Sequence, residues 1–251
     1  MLWLGRAFGP VARVSYHRVV GTGLLQIAAG RRTLLVVAAP SEAQAVLAGL
    51  GWAGEVPPAW TLTPLNERFD LVISGVGKAN AAGAVARTLD ASRHAAVVNL
   101  GVAGSLPGAS SPPIVGLVVA TASVFADDGV ATPEGFVTQA ELGFPPSDLP
   151  GMNVPGDDAL VATMRTLGGV AACIATVSTC SGTDARAADV ARRTGAVAEA
   201  MEGAAAGLAA RRIGVPFVEV RAISNTTGDR ASQRWDLRGA LDRVRCTVGR
   251  L

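Results

Sequence analysis

Histidine, cysteine and aromatic residues are all scarce in this chain, and each scarcity removes a class of function. The two histidines, His17 and His94, stand in no pattern with a serine or cysteine and an acid, so a hydrolytic triad has no support. The three cysteines, Cys173, Cys180 and Cys246, are too widely spaced for a disulfide framework or a zinc motif. A reducing cytoplasm is therefore the expected location. Aromatic residues make up only 4% of the chain, so its core must be built from Ala, Val and Leu. The net charge is +2 with no basic block, which gives no argument for nucleic-acid binding. No apolar run reaches the roughly 18 residues of a membrane span. The N-terminal stretch MLWLGRAFGPVARVSYHRVVGTG is interrupted by Arg6, Arg13 and Arg18. It lacks the continuous apolar core of roughly 7–15 residues that a secretory signal needs. Residues 1–32 are expected to be a poorly ordered extension, with a transit-like amphipathic helix as the alternative.

What remains is a chain of 251 residues, 49% apolar, with thirty glycines. That suits one large α/β domain with small residues between helices and sheet. Thr33–Ala39, TLLVVAA, reads as a first buried strand by its length and β-branching. Ser41 with Gln44 three residues on reads as a capping box opening a helix. Glu42 falls in that first turn. It serves either the helix dipole or, just past a strand's carboxyl end, a catalytic role. A second strand, Asp70–Ser74, runs into Gly75, Val76 and Gly77 ahead of a small-residue helix from Lys78 to about Asp90. The glycines read as a nest for an anion or ribose, or as a plain tight turn.

Ala95–Leu100 is a third strand, followed by an apparent glycine loop over Gly101–Leu106. Leu117–Phe125 is a fourth. Asp127 to Pro155 is rich in Pro and Gly, long enough to be a functional loop; Phe136, Phe144 and Met152 on it suit a lid or an oligomer contact. A helix over Asp157–Leu167, a strand over Val170–Val177 and a polar turn, Ser178 to Thr183, come next. Then follow a helix over Asp184–Arg193, a strand over Ala196–Ala200, and a helix to Arg212 with Gly214 as its C-cap. The last strand starts at Val215 and breaks into Arg221, Ser224, Asn225 and the polar residues up to Arg230. A helix from about Ser232 to Arg245 closes the chain. Six or seven strands alternating with helices predict a single α/β domain, residues 33–251, with a central mixed, mostly parallel sheet covered on both faces. The polar strand ends can meet only if they share one crevice. Cys180 is expected to line that pocket, and Cys173 and Cys246 to lie in the core.

Four motifs, SGVGKANAA, NLGVAGSL, AMEGAA and RAISN, occur in an order and spacing that resemble the purine nucleoside phosphorylase and nucleosidase superfamily. The resemblance covers roughly Thr33 to Val244. Within it, VVAAPSEA, DDGVATPEGF and RAISN followed by GDR and Trp235 are most similar to the futalosine hydrolases of menaquinone biosynthesis. The resemblance implies that Glu42 activates the attacking water and that Met201 and Glu202 hold the ribose. It places Gly77 on the ribose side, Asn225 at the base, and Thr179, Cys180 and Ser181 along the base pocket. It implies no metal and no organic cofactor, a small nucleoside as substrate, and a homo-oligomer. Phe125 or Phe136 is the expected aromatic partner of the base. Arg230 is a candidate for a distal carboxylate, or an ordinary surface ion pair.

Two departures narrow the chemistry. Phosphorylases of the superfamily carry an arginine where this chain has Asn99, so water is expected as nucleophile rather than phosphate. Adenine-cleaving nucleosidases carry aspartate where this chain has Asn225. An amide can donate to both O6 and N7 of a 6-oxopurine, which favours hypoxanthine over adenine. An Asx turn is the purely structural alternative for Asn225. Methylthioadenosine/adenosylhomocysteine nucleosidase, purine nucleoside phosphorylase and a non-catalytic nucleoside-binding protein remain the rival readings.

Overall fold

The computed structural model describes residues 30–149 and 151–251. The expected N-terminal extension lies, for residues 1–29, outside them. The chain enters the fold one residue earlier than its sequence suggests, with β1 over Arg32–Val37. α1 (Pro40–Gly49), β2 (Thr63–Pro64), β3 (Phe69–Ile73), α2 (Lys78–Thr88) and β4 (His94–Ser105) follow. Next are β5 (Leu117–Phe125), β6 (Gly129–Thr132), β7 (Gly135–Thr138), β8 (Asn153–Pro155), α3 (Asp158–Arg165) and β9 (Val170–Thr176). The chain ends with α4 (Asp184–Thr194), β10 (Ala198–Ala200), α5 (Gly203–Ile213), β11 (Phe217–Thr226), a 3-10 turn (Arg230–Ser232) and α6 (Leu237–Val248).

The fold is the expected α/β one, and the mixed sheet orders its strands β10-β9-β5-β11-β4-β1-β3-β2. The strand pairs β1 with β3, β1 with β4, β4 with β11, β5 with β9, and β9 with β10 are parallel. β5 runs antiparallel to β11. β4 is the strand on which the site depends. Its first half, up to Asn99, pairs with β1; beyond that point its edge passes to β10, with Gly104 opposite Glu199 and Ser105 opposite Ala198. That second pairing closes β4, β11, β5, β9 and β10 into a ring, while β1, β3 and β2 fan outward as an open sheet. The stretch Gly101–Ser105 is thus strand, not the loop its glycines suggest. A chain that must bend from flat sheet into barrel wall needs residues without bulk there.

Alternation along β1 shows why the strands read as continuous apolar runs. Leu34 and Val36 pack against α2 and α5, and Leu35 and Val37 against α1 and α6, so both faces are covered. The barrel interior is lined by smaller residues, among them Ala103, Ala120, Ala198, Ala200 and Ile223. With few aromatics available, close packing comes from small side chains, as at Gly207 of α5, where an added Cβ would meet Phe217 and Val154.

Several local expectations need correction. α1 starts at Pro40 with Ala39 as its N-cap residue, so Ser41 and Gln44 do not form the capping box. Proline at the first helical position fixes φ where no N–H is needed. The 127–155 stretch is not a bare loop: it holds the β6–β7 hairpin and β8, and Met152 is buried in the core rather than presented on a lid. Phe144 is exposed. Cys246 is exposed and Cys173 partly buried, where both were expected in the core. The expected cap at Gly214 is present, with φ of 81°.

Candidate active site

The site is built where side chains from β4 and β11 and from the segments that follow β1, β3 and β10 meet around one guanidinium. Arg221 points from β11 into the molecule and is 1% exposed. Its Nε donates to Glu219 Oε1 at 2.8 Å. Its Nη2 donates to Asn99 Oδ1 at 2.6 Å and to Glu202 Oε2 at 3.1 Å, and its Nη1 lies 4.0 Å from Glu42 Oε1. Glu219 and Arg221 are two residues apart on one strand, so the pleat sends both side chains to the same face. Glu219 is held on its other oxygen by the Ser123 hydroxyl.

Glu42 sits at the third position of α1, and its carboxylate turns back toward the chain it came from. Oε2 accepts from the Ala38 N–H at 2.9 Å and the Ala39 N–H at 3.0 Å, and Oε1 from the Val102 N–H at 2.8 Å. It is 4% exposed, so it is no mere dipole partner at a solvated helix end. Burial pushes its pKa above the usual carboxylate range; the Glu202 carboxylate adds to that, and Arg221 and the three N–H groups oppose it. Burial likewise raises Glu219 against the pull of Arg221. Glu202 precedes α5 and accepts from the Gly77 N–H at 3.0 Å and from Arg221. Gly77 has φ of 99°, a conformation open to glycine, and the turn there aims its N–H at the carboxylate.

A cavity of about 440 Å³ opens beside this cluster. Glu42, Met201, Glu202, Cys180, Ser181, Asn225 and Arg230, all singled out in the sequence, line it. Gly77 serves it through Glu202. Thr179 is not among the lining residues: its N–H donates to Asp127 and its carbonyl accepts from Arg186. Asp127 also pairs with Lys78 at 2.5 Å and accepts from the Ser178 N–H, so it ties the start of α2 to the turn that forms one cavity wall. The aromatic wall is Trp235, with the Arg230 guanidinium 5.0 Å from its ring centroid. Phe125 instead lies in the core facing the Lys78 ammonium, and Phe136 lies under Arg193, so neither is the aromatic expected at the base.

Asn225 reaches the cavity through an irregularity. The register of β11 against β4 slips between Ile223 and Asn225, which sets Asn225 opposite Gly104. Its Nδ2 donates to the Thr226 carbonyl at 2.9 Å and its Oδ1 accepts from the Ser224 hydroxyl at 2.8 Å. Turning the amide over would set oxygen against oxygen at Thr226, so its orientation is fixed. One amide hydrogen is already engaged, and one remains for a ligand rather than the two expected from the sequence.

Two side chains that the sequence alone did not mark, Glu219 and Glu199, belong to this site, and Arg221, expected only as part of the strand's polar end, is its centre. Glu219 hides in a run that reads as an apolar strand, and its charged partner two residues on is the signal that was available. Glu199, on β10, also lines the cavity. Its two oxygens accept from the Ser181 N–H at 2.7 Å and the Ser181 hydroxyl at 2.6 Å, and burial raises its pKa. Burial raises the Cys173 thiol to about 11, which leaves it no nucleophile. Among the described residues, no group of three or more His, Cys, Asp or Glu is placed to hold a metal ion.

Residues 65–250 match the sequence profile of the phosphorylase superfamily. The chain belongs to that superfamily. Within the phosphorylase superfamily it is 37% identical over 208 residues to the futalosine hydrolase of Streptomyces coelicolor, covering 77% of this chain and 83% of that protein. It is 38% identical over 216 residues to the futalosine hydrolase of Acidothermus cellulolyticus, covering 85% and 87%. A futalosine hydrolase mutant of Helicobacter pylori has the same fold, with a TM-score of 0.67 at 20% identity over 87% of this chain and 95% of that one. Superfamily membership accounts for the barrel that gathers these strand ends; the side chains within it decide the chemistry.

Proposed function

We propose that the chain is a nucleosidase that hydrolyses the N-glycosidic bond of futalosine, releasing hypoxanthine and dehypoxanthine futalosine. The observation that carries this reading is the convergence of Glu42, Glu202 and Asn225 on one cavity around Arg221. The likeness to two futalosine hydrolases at 37% and 38% identity supports it.

The charge balance favours water over phosphate. One guanidinium faces three carboxylates, Glu42, Glu202 and Glu219, so an incoming phosphate would meet excess negative charge. Asn99 is fully buried and outside the cavity lining, its Nδ2 donating to the Val36 carbonyl at 3.0 Å and its oxygen accepting from Arg221, so it brings no cation to a phosphate. Glu42 takes a proton from the attacking water on the ribose face away from the base. Glu202 accepts from the ribose hydroxyls, and its negative charge favours the oxocarbenium-like sugar. The free Asn225 N–H stabilises charge arriving on the departing purine. Met201 packs against the sugar. Cys180 and Ser181 wall the base, and Arg230 beside Trp235 meets the benzoate end of futalosine.

Incubating the purified protein with futalosine and following hypoxanthine by chromatography tests this. Release is expected without added phosphate. Faster release of adenine from methylthioadenosine, or a requirement for phosphate, would overturn the substrate or the nucleophile; binding without turnover would make the chain a nucleoside-binding protein. We also propose that residues 33–251 form the catalytic domain of a cytoplasmic homo-oligomer. No helix among the described residues is long and apolar enough to cross a membrane. Size-exclusion chromatography with light scattering checks the oligomer.

A further inference from the structure

Glu219 is fully buried on β11 and does not line the cavity. A strand covered on both faces takes an apolar residue there at less cost, because a buried carboxylate must be stripped of water. The use of Glu219 must therefore lie in what it does to its neighbours.

Arg221 is shared unequally among three carboxylates. Its Nε donates to Glu219 at 2.8 Å, its Nη2 donates to Glu202 at 3.1 Å, and its Nη1 stops 4.0 Å from Glu42. The guanidinium is a rigid planar fork, so an anchor at Nε sets where both Nη atoms point. Glu219 is itself anchored on its second oxygen by the Ser123 hydroxyl from β5. The carboxylate nearest to Arg221 is thus one that no ligand in the cavity meets, and the proposed base is the one farthest from it.

Glu42 faces Arg221 from β11 and Glu202 from the start of α5; its other partners are the neutral N–H groups of Ala38, Ala39 and Val102. Glu219 faces Arg221, Glu202 and, from β9, the Cys173 thiol, which burial keeps uncharged at neutral pH. Neutralising Glu219 would act on Glu42 twice, in one direction. A negative charge near Glu42 would be lost, and Arg221, released at Nε, could close the 4.0 Å gap. Both changes favour the ionised form of Glu42 and make it a weaker base.

We infer that Glu219 is a positioning residue that holds Arg221 back from Glu42 and so keeps Glu42 basic enough to take a proton from the attacking water. The inference rests on the role given to Glu42 in the proposed reaction. It requires Glu219 to stay ionised while Glu42 takes up its proton. The charge-assisted bond from Arg221 provides for that, since it is stronger than the neutral N–H donors that Glu42 receives.

Glu219→Gln is the informative variant. Its amide oxygen still accepts from Arg221, and its NH₂ can donate to the Ser123 hydroxyl, so the shape of the cluster is kept while one charge is removed. The acid limb of kcat/KM is expected to move down by about 0.5–1.5 pH units. At neutral pH kcat should fall about 3–10-fold with little change in KM, because a weaker base assists less. A limb that stays in place or moves up, whatever happens to kcat, would make Glu219 a structural prop and overturn the inference. A second measurement needs no variant. Carboxyl ¹³C shifts of the unmodified protein, assigned through the backbone and followed against pH, should show Glu219 still ionised where Glu42 protonates. Protonation of Glu219 before Glu42 overturns the inference even if Glu219→Gln fails to fold. If futalosine is left intact, the proposed reaction fails, while the Glu42 titration in the two proteins still decides the role of Glu219.

Discussion

Glu42 is held by three backbone N–H groups, yet burial keeps its pKa above the ordinary glutamate value of 4.5. Those opposing effects suit a base that must be ionised at neutral pH but still bind a proton in the transition state. Glu42→Gln is expected to lower kcat by about 10²–10⁴-fold with a smaller change in KM, since the amide keeps most of the packing. The acid limb of the unmodified enzyme's kcat/KM profile should lie above pH 4.5, because activity requires the ionised form and is lost as pH falls through the raised pKa. A limb at or below 4.5 would remove Glu42 as the titrating base. At Asn225 the expected change is in selectivity. An ionised aspartate there would face the Thr226 carbonyl and lose the open donor, so Asn225→Asp should reduce hypoxanthine release by about 10–100-fold. Comparing rates for the 6-oxo and 6-amino nucleosides measures it.

Among the elements, β4 contributes most by leaving space. Gly101 sits on it where a Cβ would overlap both Glu42 Oε1 and Arg221 Nη1, and Gly203 at the start of α5 would overlap the Glu219 carboxylate in the same way. These glycines have ordinary φ values, so it is close approach of charged groups, not backbone strain, that demands them. Gly101→Ala is expected to cost about 1–3 kcal/mol of stability through overpacking. Activity should fall much further than stability, because the methyl displaces the base and the guanidinium together. Denaturant titration alongside kcat/KM separates the two; a variant with full activity would show that the cluster can move aside.

For the molecule as a whole, the charged residues divide between two ends of the sheet. At the end opposite the cavity, Asp70 is fully buried and accepts from Arg32 at 2.8 Å, from Arg93 at 2.6 Å and from His94 at 3.0 Å. The Asp90 N–H donates to His94 Nδ1, which leaves Nε2–H to donate to Asp70. Burial acts to raise the Asp70 pKa, but the hydrogen bonds from Arg93, His94 and Arg32 outweigh it and hold the carboxyl below its usual 3.8. A depressed folded-state pKa stabilises the fold above the unfolded value and is lost as pH falls toward the folded one. Asp70→Asn should therefore destabilise the protein at pH 7 by about 1.5–3 kcal/mol, as loss of hydrogen bonds to a charged group implies, lowering Tm by roughly 5–10 °C. The gap between the two proteins should shrink below about pH 3.8. A gap that stays constant through acid would show that the lost packing, not the ion pairs, held this end together. His94, a lone histidine in the sequence, thus has a structural use.

The sequence by itself determined the main alternation of strands and helices, the cap at Gly214, and several residues around the cavity, Glu42, Met201, Glu202 and Asn225 among them, because those follow from local periodicity and from motifs of fixed spacing. It misjudged Gly101–Ser105, because glycine in a strand that bends looks the same as glycine in a loop until its pairing partners are known. It also passed over Glu219 and Glu199 and gave Arg221 no partners, since a buried charge in an apolar strand acquires meaning only from what surrounds it. Those surroundings come from the closure of β10 onto β4, a contact between residues about ninety positions apart, and from the one-residue slip in β11. Only the tertiary structure could bring three carboxylates to one guanidinium, engage one of the two Asn225 hydrogens, and place Glu199 across Gly104 from it. Each of these depends on partners far apart in sequence, which no local stretch encodes.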